Sequence, residues 1–391
     1  LVSSYEPALF DASVKSLGFS VNWFSQFDVN EFRLFYQATV MFSKLPPMSD
    51  SDSTLSTTAI NGFLSAEHNN SAVNNNWSFS DFNVAFGQLN KLGVSIESVR
   101  SRMRQILGRA PSLQSLSDRG VWTSGASVML PRSISSGESK SEFGTSVTYQ
   151  LAKAIQEECV NLTPLINSRE AWFLVPGNLV RTAPKNITTD RTIAMEPDIN
   201  AFFQRAIGDS IRSRLLKWGV DLNDQTLNQR ACVRAHLYGR ATIDIKNASN
   251  NILLFPALSS IPDDWARLFE VTRSPYGTLS SRREVKERRA SWFEYNMLSS
   301  MGNGFTFEFE SLLFFVLALE SGAEPWEINV YGDDVILPQR CVSRFTAILA
   351  IYGLEVNTEK SFTSGTFFES CGMYSFHGVD VTPLKIKALL H

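Results

Sequence analysis

Two short apolar runs, residues 327–331 and 335–337, flank a tight turn at Gly332-Asp333. Gly-Asp between apolar runs is hairpin chemistry, because glycine enters the left-handed backbone region that a tight turn demands. This feature constrains the fold most, since it requires antiparallel pairing. A second pair, 366–372 and 373–379, reads the same way, and short strands are expected at 173–175, 192–195 and 241–245. Helical patterns interleave with them at 95–107, 142–159, 198–218, 305–321 and 345–352. In the third of these Phe203, Ile207, Ile211 and Leu215 recur every fourth residue, and Gly219 ends the pattern. Strands, hairpins and helices mixed in this way predict an α+β fold rather than a doubly wound parallel sheet. Residues 1–48, rich in aromatics such as Phe10, Phe19 and Phe32, read as short helices. Residues 49–80, dense in Ser, Asn, Asp and Thr, read as a flexible loop or an exposed excursion and not as a core element, and 117–142 as loop.

Composition sets the outer bounds. With 391 residues, 43% hydrophobic and 19% charged, the chain is a globular protein large enough for two or three subdomains. No apolar run reaches the length of a membrane span: 312–319 is too short and is flanked by Glu308, Glu310 and Glu320. The chain begins at Leu1 and stops soon after the second hairpin, which reads as a fragment of a longer chain. Cys159, Cys232, Cys341 and Cys371 are far apart and show no zinc spacing, so reduced, buried thiols of an intracellular protein are expected. Two glycosylation patterns, at Asn76 and Asn186, are read as chance matches. The net charge of −3 argues against a nucleic-acid binder only as an average. Residues 181–217 hold seven Arg/Lys against four Asp/Glu, and 267–289 hold seven against three. Those segments are where phosphate would meet the chain.

Five pieces carry chemistry. Asp333-Asp334 sits at a rigid hairpin tip, where two carboxylates repel each other unless a hard cation such as Mg²⁺ relieves them; a solvated acidic turn is the alternative. Asp263-Asp264 is an internal control, because after Pro262 it reads as the acidic first turn of a helix. Asp244 lies in or at the end of an apolar strand, where burial is costly without a cation or donors; a strand-end cap is the alternative. The Gly-rich run Ser299-Ser300-Met301-Gly302-Asn303-Gly304 leads into a helix that places Thr306 and Glu310 on one face. The basic segment Arg181, Lys185, Arg191 and the later Lys360 complete the set. Arg100, Arg102 and Arg104 fit either a phosphate contact or a solvated helix face, as does the basic run 282–289.

The order of these pieces is basic finger, strand Asp, Gly-rich loop and helix, Asp-Asp hairpin, Lys, second hairpin. It resembles motifs F, A, B, C, D and E of template-dependent nucleic-acid polymerases. The local sequences at 299–308, 331–338, 218–226, 368–372 and 378–383 resemble the replicase catalytic (beta) subunit of levivirus-type RNA bacteriophages, over roughly 172–384. Residues 1–150 match only loosely, through 122–143.

The resemblance implies an RNA-directed RNA polymerase of right-hand shape, with an antiparallel-sheet palm, mostly helical fingers and a thumb largely absent. The implied division is 1–170 N-terminal and fingers region, 171–235 fingers with motif F, 236–365 palm with motifs A to D, and 366–391 motif E and the start of a thumb. Asp244 and Asp333 would hold two Mg²⁺ ions (Mn²⁺ as substitute), with Asp334 as ligand or support. Lys185 and Arg191 would grip the triphosphate. Asn250, Ser300, Gly302 and Asn303 would lie near the ribose and nascent pair. Lys360 is either the general acid for pyrophosphate or a surface lysine. Against the family pattern, Asn250 replaces Asp, Lys246 replaces Ser, and Thr188 replaces a second motif F lysine. The implied partners are RNA template and product, NTPs, host elongation factors Tu and Ts and a host ribosomal protein, with no membrane, in the host bacterial cytoplasm. A reverse transcriptase and an inactive, polymerase-derived RNA-binding protein are the competing readings.

Overall fold

The computed structural model describes residues 28–40, 52–78, 82–142, 145–160, 172–186 and 189–384. The aromatics expected in helices at 10–27, Thr188 and the segment 385–391 lie outside the described residues. The fold is α+β, as the interleaved pattern predicts. At its centre runs the helix Thr306–Glu320, in which every residue but Phe307 is buried. Apolar residues all round this helix leave it no solvent face, so it must be enclosed by other elements. The helices Asp198–Leu216, Ile96–Leu107 and Val342–Ile351 and a small sheet pack around it.

That sheet has three antiparallel strands, with Asp334–Pro338 between Arg240–Asp244 and Asn329–Tyr331. The outer edge of Arg240–Asp244 is covered by the segment that follows the Val342–Ile351 helix. Thr242 and Phe362 exchange backbone bonds of 3.0 and 2.8 Å, and the Asn357 N–H donates to the Asp244 carbonyl at 2.8 Å. This edge pairing brings residue 360 back beside residue 244.

A second sheet of four strands orders Thr189–Met195, Gly177–Asn186, Tyr276–Thr278 and Phe293–Glu294. Its first two strands form one long hairpin, so the basic segment is a rigid ribbon with strand on both arms. The second hairpin expected from sequence is Phe367–Ser370 with Met373–Phe376, joined by a third short strand, Val379–Asp380.

Two expectations are corrected. Residues 52–77 form a 26-residue helix, not an exposed excursion. Its polar residues are bonded to backbone of other segments. Asn74 Nδ2 donates to the Asn296 carbonyl at 2.6 Å and its Oδ1 accepts from the Phe255 N–H at 3.1 Å. Asn70 Nδ2 donates to the Asn250 carbonyl, and Glu67 accepts from the Asn296 N–H. Trp77, 2% exposed, donates to the Ile351 carbonyl and packs on Tyr352 and Phe86. Tertiary clamps therefore override weak helix propensity. The expected helix over 142–159 is instead the strand Ser146–Thr148, paired with Phe173–Val175, followed by the helix Tyr149–Glu158. Asp198 accepts from the Ser146 N–H and hydroxyl, and Asn200 from the Thr148 N–H, which holds this stretch extended.

Asp263 and Asp264 do open a helix, Asp263–Thr272, with Asp263 paired to Arg100. Arg102 pairs with the buried Glu320. In the 282–289 run Arg283 and Arg289 both hold Glu287, and Arg282 donates to the Ser127 and Leu130 carbonyls. Cys159, Cys232 and Cys341 are buried free thiols, and Cys371 is partly buried. Among the described residues no helix is long and apolar enough to cross a membrane.

Candidate functional site

The three-stranded sheet brings its carboxylates together by register. Asp244 lies directly opposite Asp334, which in turn lies opposite Tyr331. The Ile245 N–H donates to the Asp333 carbonyl at 3.2 Å, tying the end of one strand to the tip of the hairpin. Gly332 has φ +61°, and a Cβ there would stand 2.6 Å from the Phe307 ring, so both the turn and the close approach require glycine. Its N–H donates to the Ser311 hydroxyl at 2.9 Å, which anchors the turn on the central helix.

This arrangement sends the two adjacent aspartates to different places. Asp333 faces a cavity of about 590 Å³ together with Asp244, Lys185, Arg191, Asn250 and Lys360. Asp334 does not line that cavity. Its Oδ2 accepts from the Cys371 N–H at 3.1 Å and its Oδ1 from the Ser370 hydroxyl at 3.3 Å, so it holds the second hairpin against the sheet. Asn228 Nδ2 donates to the Asp334 carbonyl from behind.

Asp244 is positioned from the edge segment. Asn357 Nδ2 donates to its Oδ1 at 2.8 Å, while Lys360 Nζ stands 3.9 Å from its Oδ2. Asp333 is open to solvent from the cavity, yet enough protein packs around it to disfavour its charge. Burial, and then the charge of Asp244, push its pKa above the ordinary carboxylate range, against the pull of Lys360 and Lys185. Lys185 is shifted downward, first by desolvation and then by Lys360 and Arg191, with Asp333 and Asp244 opposing. Asp334 is pushed up to about 7, by burial first and then by Glu369 and Asp333. Glu310, on the central helix beneath the turn, is pushed up to about 8 by burial and by Asp333. It accepts from the Ser249 hydroxyl at 2.9 Å, and so links the helix to the turn that carries Asn250.

The Gly-rich loop stands behind the cavity rather than in it. Asn178 Nδ2 donates to the Ser300 hydroxyl at 3.0 Å, Asn303 Oδ1 accepts from the Phe305 N–H, and Thr306 donates to Ser299 and to the Ser300 carbonyl. Gly302, at φ +117°, lies where a Cβ would stand 2.1 Å from the Ala194 carbonyl oxygen, so the loop is pressed onto the basic hairpin. Met301 is the member of this loop that lines the cavity. Arg181 also stays out, donating to the Leu279 and Ser280 carbonyls.

Sequence reasoning missed the opposite wall. Leu55, Thr58, Ala59, Gly62, Phe63 and Ala66 of the Asp52–Trp77 helix face the same cavity. Their recurrence every three or four residues is a helical signal, hidden by the polar composition between them. It also missed Asn357 and Ser361, which bond Asp244 and give no signal apart from the fold.

Among the described residues no group of three or more His, Cys, Asp or Glu gathers as a metal cluster. The donor set is a pair of carboxylates, Asp244 and Asp333, both lining the cavity, with Asn357 bonded to Asp244 Oδ1. Oxygen donors with room left for water suit Mg²⁺.

The sequence profile of RNA replicase, beta-chain, matches residues 10–391. The RNA-directed RNA polymerase subunit beta of Escherichia virus Qbeta is 33% identical over 396 aligned residues, which span 99% of this chain and 64% of that protein. The RNA-directed RNA polymerase beta chain of Escherichia phage MS2 is 38% identical over 56% of this chain and 40% of its own length. The corresponding subunit of Enterobacteria phage SP is 42% identical over 54% of this chain and 36% of its own. The chain thus spans less than two thirds of the length of these relatives. A solved RNA-dependent RNA polymerase, BmCPV at elongation state, overlaps 52% of this chain at 11% identity and a TM-score of 0.38, too slight a likeness to weigh. With a profile match over nearly its whole length, the chain belongs to the RNA replicase beta-chain family.

Proposed function

We propose that this chain is the catalytic part of an RNA-directed RNA polymerase that replicates a single-stranded RNA phage genome from NTPs. One observation carries the reading: in a replicase-family chain, Asp244 and Asp333 meet Lys185, Arg191 and Lys360 in a cavity of nucleotide size. Asp244 and Asp333 would hold two Mg²⁺ ions, which supply charge neutralisation at the triphosphate and activation of the primer 3′-hydroxyl. Lys185 and Arg191 bind triphosphate oxygens, the arginine with its two-pronged donor geometry. Asn357 orients Asp244, and Asp334 fixes the hairpin tip by holding Cys371 and Ser370. Asn250, on the cavity wall, offers the ribose 2′-hydroxyl a partner. Lys360, 3.9 Å from Asp244, would give a proton to departing pyrophosphate. Catalysis of this kind is mostly positioning and electrostatics.

In this reading residues 236–365 are the palm and 171–235, with part of 1–170, the fingers of a right-hand polymerase. The segment from 366 is motif E and the approach to a thumb. The partners are RNA, NTPs and, by family likeness, host elongation factors Tu and Ts and a ribosomal protein, in the infected cell's cytoplasm.

Primer extension on an RNA template with Mg²⁺ tests this. Ribonucleotide addition that Asp333→Asn abolishes, with RNA binding kept, is the expected result. Preference for deoxyribonucleotides would make it a reverse transcriptase, and undiminished synthesis by the variant would remove the central claim.

A further inference from the structure

The cavity has two unlike walls. The sheet side carries the charge: Asp244, Asp333, Lys185, Arg191 and Lys360. The opposite side is the uncharged face of the Asp52–Trp77 helix, where Ala59, Gly62 and Ala66 are interleaved with Leu55, Thr58 and Phe63.

Gly62 and Gly87 are both helical glycines with open space where a Cβ would stand, and of the two Gly62 lines the cavity. Glycine inside a helix is less stable there than alanine. A fold accepts it where the backbone needs positive φ or where another group presses close. Neither holds at Gly62. Its φ is ordinary, and a Cβ built on it would meet no heavy atom within 4 Å. Gly62 is exposed and lines the cavity, so the space beside it opens to solvent and to the cavity alike.

We propose that this helix is the nucleobase wall of the nucleotide site, and that Gly62, flanked by Ala59 and Ala66, sets the room for the base of the incoming nucleoside triphosphate. The proposal rests on the polymerase reading above. A nucleotide is amphipathic in the same sense as the cavity, with a polyanionic tail and a flat, uncharged base. The charged wall fits the tail, and a smooth uncharged wall fits the face of a base. Every base has such a face, so the wall measures size and not identity. The same helix also touches the proposed sugar side, since Asn70 donates to the Asn250 carbonyl at 3.1 Å.

The test uses the full chain with an RNA primer–template. Gly62→Ala and Gly62→Phe are compared with wild type for thermal midpoint, RNA affinity, KM and kcat for each NTP, and calorimetric GTP binding. The open space predicts a midpoint no lower than wild type for Gly62→Ala. For Gly62→Phe, whose ring would fill the room left for the base, it predicts a KM raised about tenfold or more, or about 1.4 kcal/mol of lost binding. The increase should be larger for GTP and ATP than for CTP and UTP, with RNA affinity unchanged and GTP binding weakened in parallel. A folded Gly62→Phe protein with wild-type KM and GTP affinity overturns the proposal. So does a loss of RNA affinity that matches the loss of GTP affinity, since the helix would then face template. A wild-type chain that neither extends primer nor binds GTP removes the polymerase reading, and this inference with it.

Discussion

The two walls of the cavity are built on different principles. The sheet wall takes its functional groups from short segments whose positions are locked by backbone pairing: Asp244 at a strand end, Asp333 at a hairpin tip, Lys360 on a paired edge. The helix wall takes only shape from its residues. Its Glu67, Asn70 and Asn74 instead clamp the backbone at Asn296, Asn250 and Phe255. Charge on one side and form on the other teach that changes to the two walls should fail in different observables: turnover for the sheet, folding and nucleotide fit for the helix.

The largest expected effect tests the sheet wall. On the proposed two-metal reading, Asp333→Asn should lower nucleotide addition by about 10³-fold or more, since losing a carboxylate that would hold a metal removes several kcal/mol of charge stabilisation. Its denaturation midpoint should not fall, since one of two crowded carboxylates is gone. A midpoint that falls in step with activity would break the division between the walls.

Trp77→Ala is the counterpart on the helix. It empties a buried aromatic site against Tyr352 and Phe86 and orphans the Ile351 carbonyl, so a stability loss of about 3–5 kcal/mol is expected in denaturant titration. Lys360→Ala should reduce kcat by about 10²-fold at unchanged RNA affinity if it acts as general acid. Rapid-quench kinetics showing an unaltered rate would return it to the surface-lysine reading.

Asn74→Ala should cost about 1–3 kcal/mol by leaving the Asn296 carbonyl and the Phe255 N–H unpaired, with kcat of the folded fraction little changed. The smallest effect concerns Glu67, whose pKa burial raises above the ordinary value. A carboxyl with a raised folded pKa binds its proton more tightly in the folded state. Its ionisation therefore removes stability as pH rises from the unfolded value through the folded one. Glu67→Gln keeps an acceptor for the Asn296 N–H and cannot ionise. It should match wild type at pH 4 and become the more stable of the two by pH 7, in urea midpoints at both values.

The chemistry was legible where local sequence and local geometry coincide. Gly332-Asp333 predicts a hairpin tip, and a hairpin tip is what the chain forms, because a tight turn depends on its own residues. The contrast with Asp263-Asp264 was equally local, as an acidic pair after proline opens a helix. The loop at 299–304 was visible as glycine-rich, but its place behind the cavity depends on Asn178 and Ala194, far off in sequence. The helix 52–77 was misread because Ser, Asn and Thr argue for loop when no partner is known.

The sequence by itself determined the α+β class, the antiparallel hairpins and the identity of the charged residues, since turn chemistry and hydrophobic period act over a few neighbours. Tertiary structure alone decided that Asp333 opens to the cavity while Asp334 turns to Cys371 and Ser370. It decided also that a polar segment becomes the facing wall. Both outcomes rest on pairing between distant segments, where alternate residues of a strand face opposite sides and a buried amide finds its partner only once the chain has closed around it.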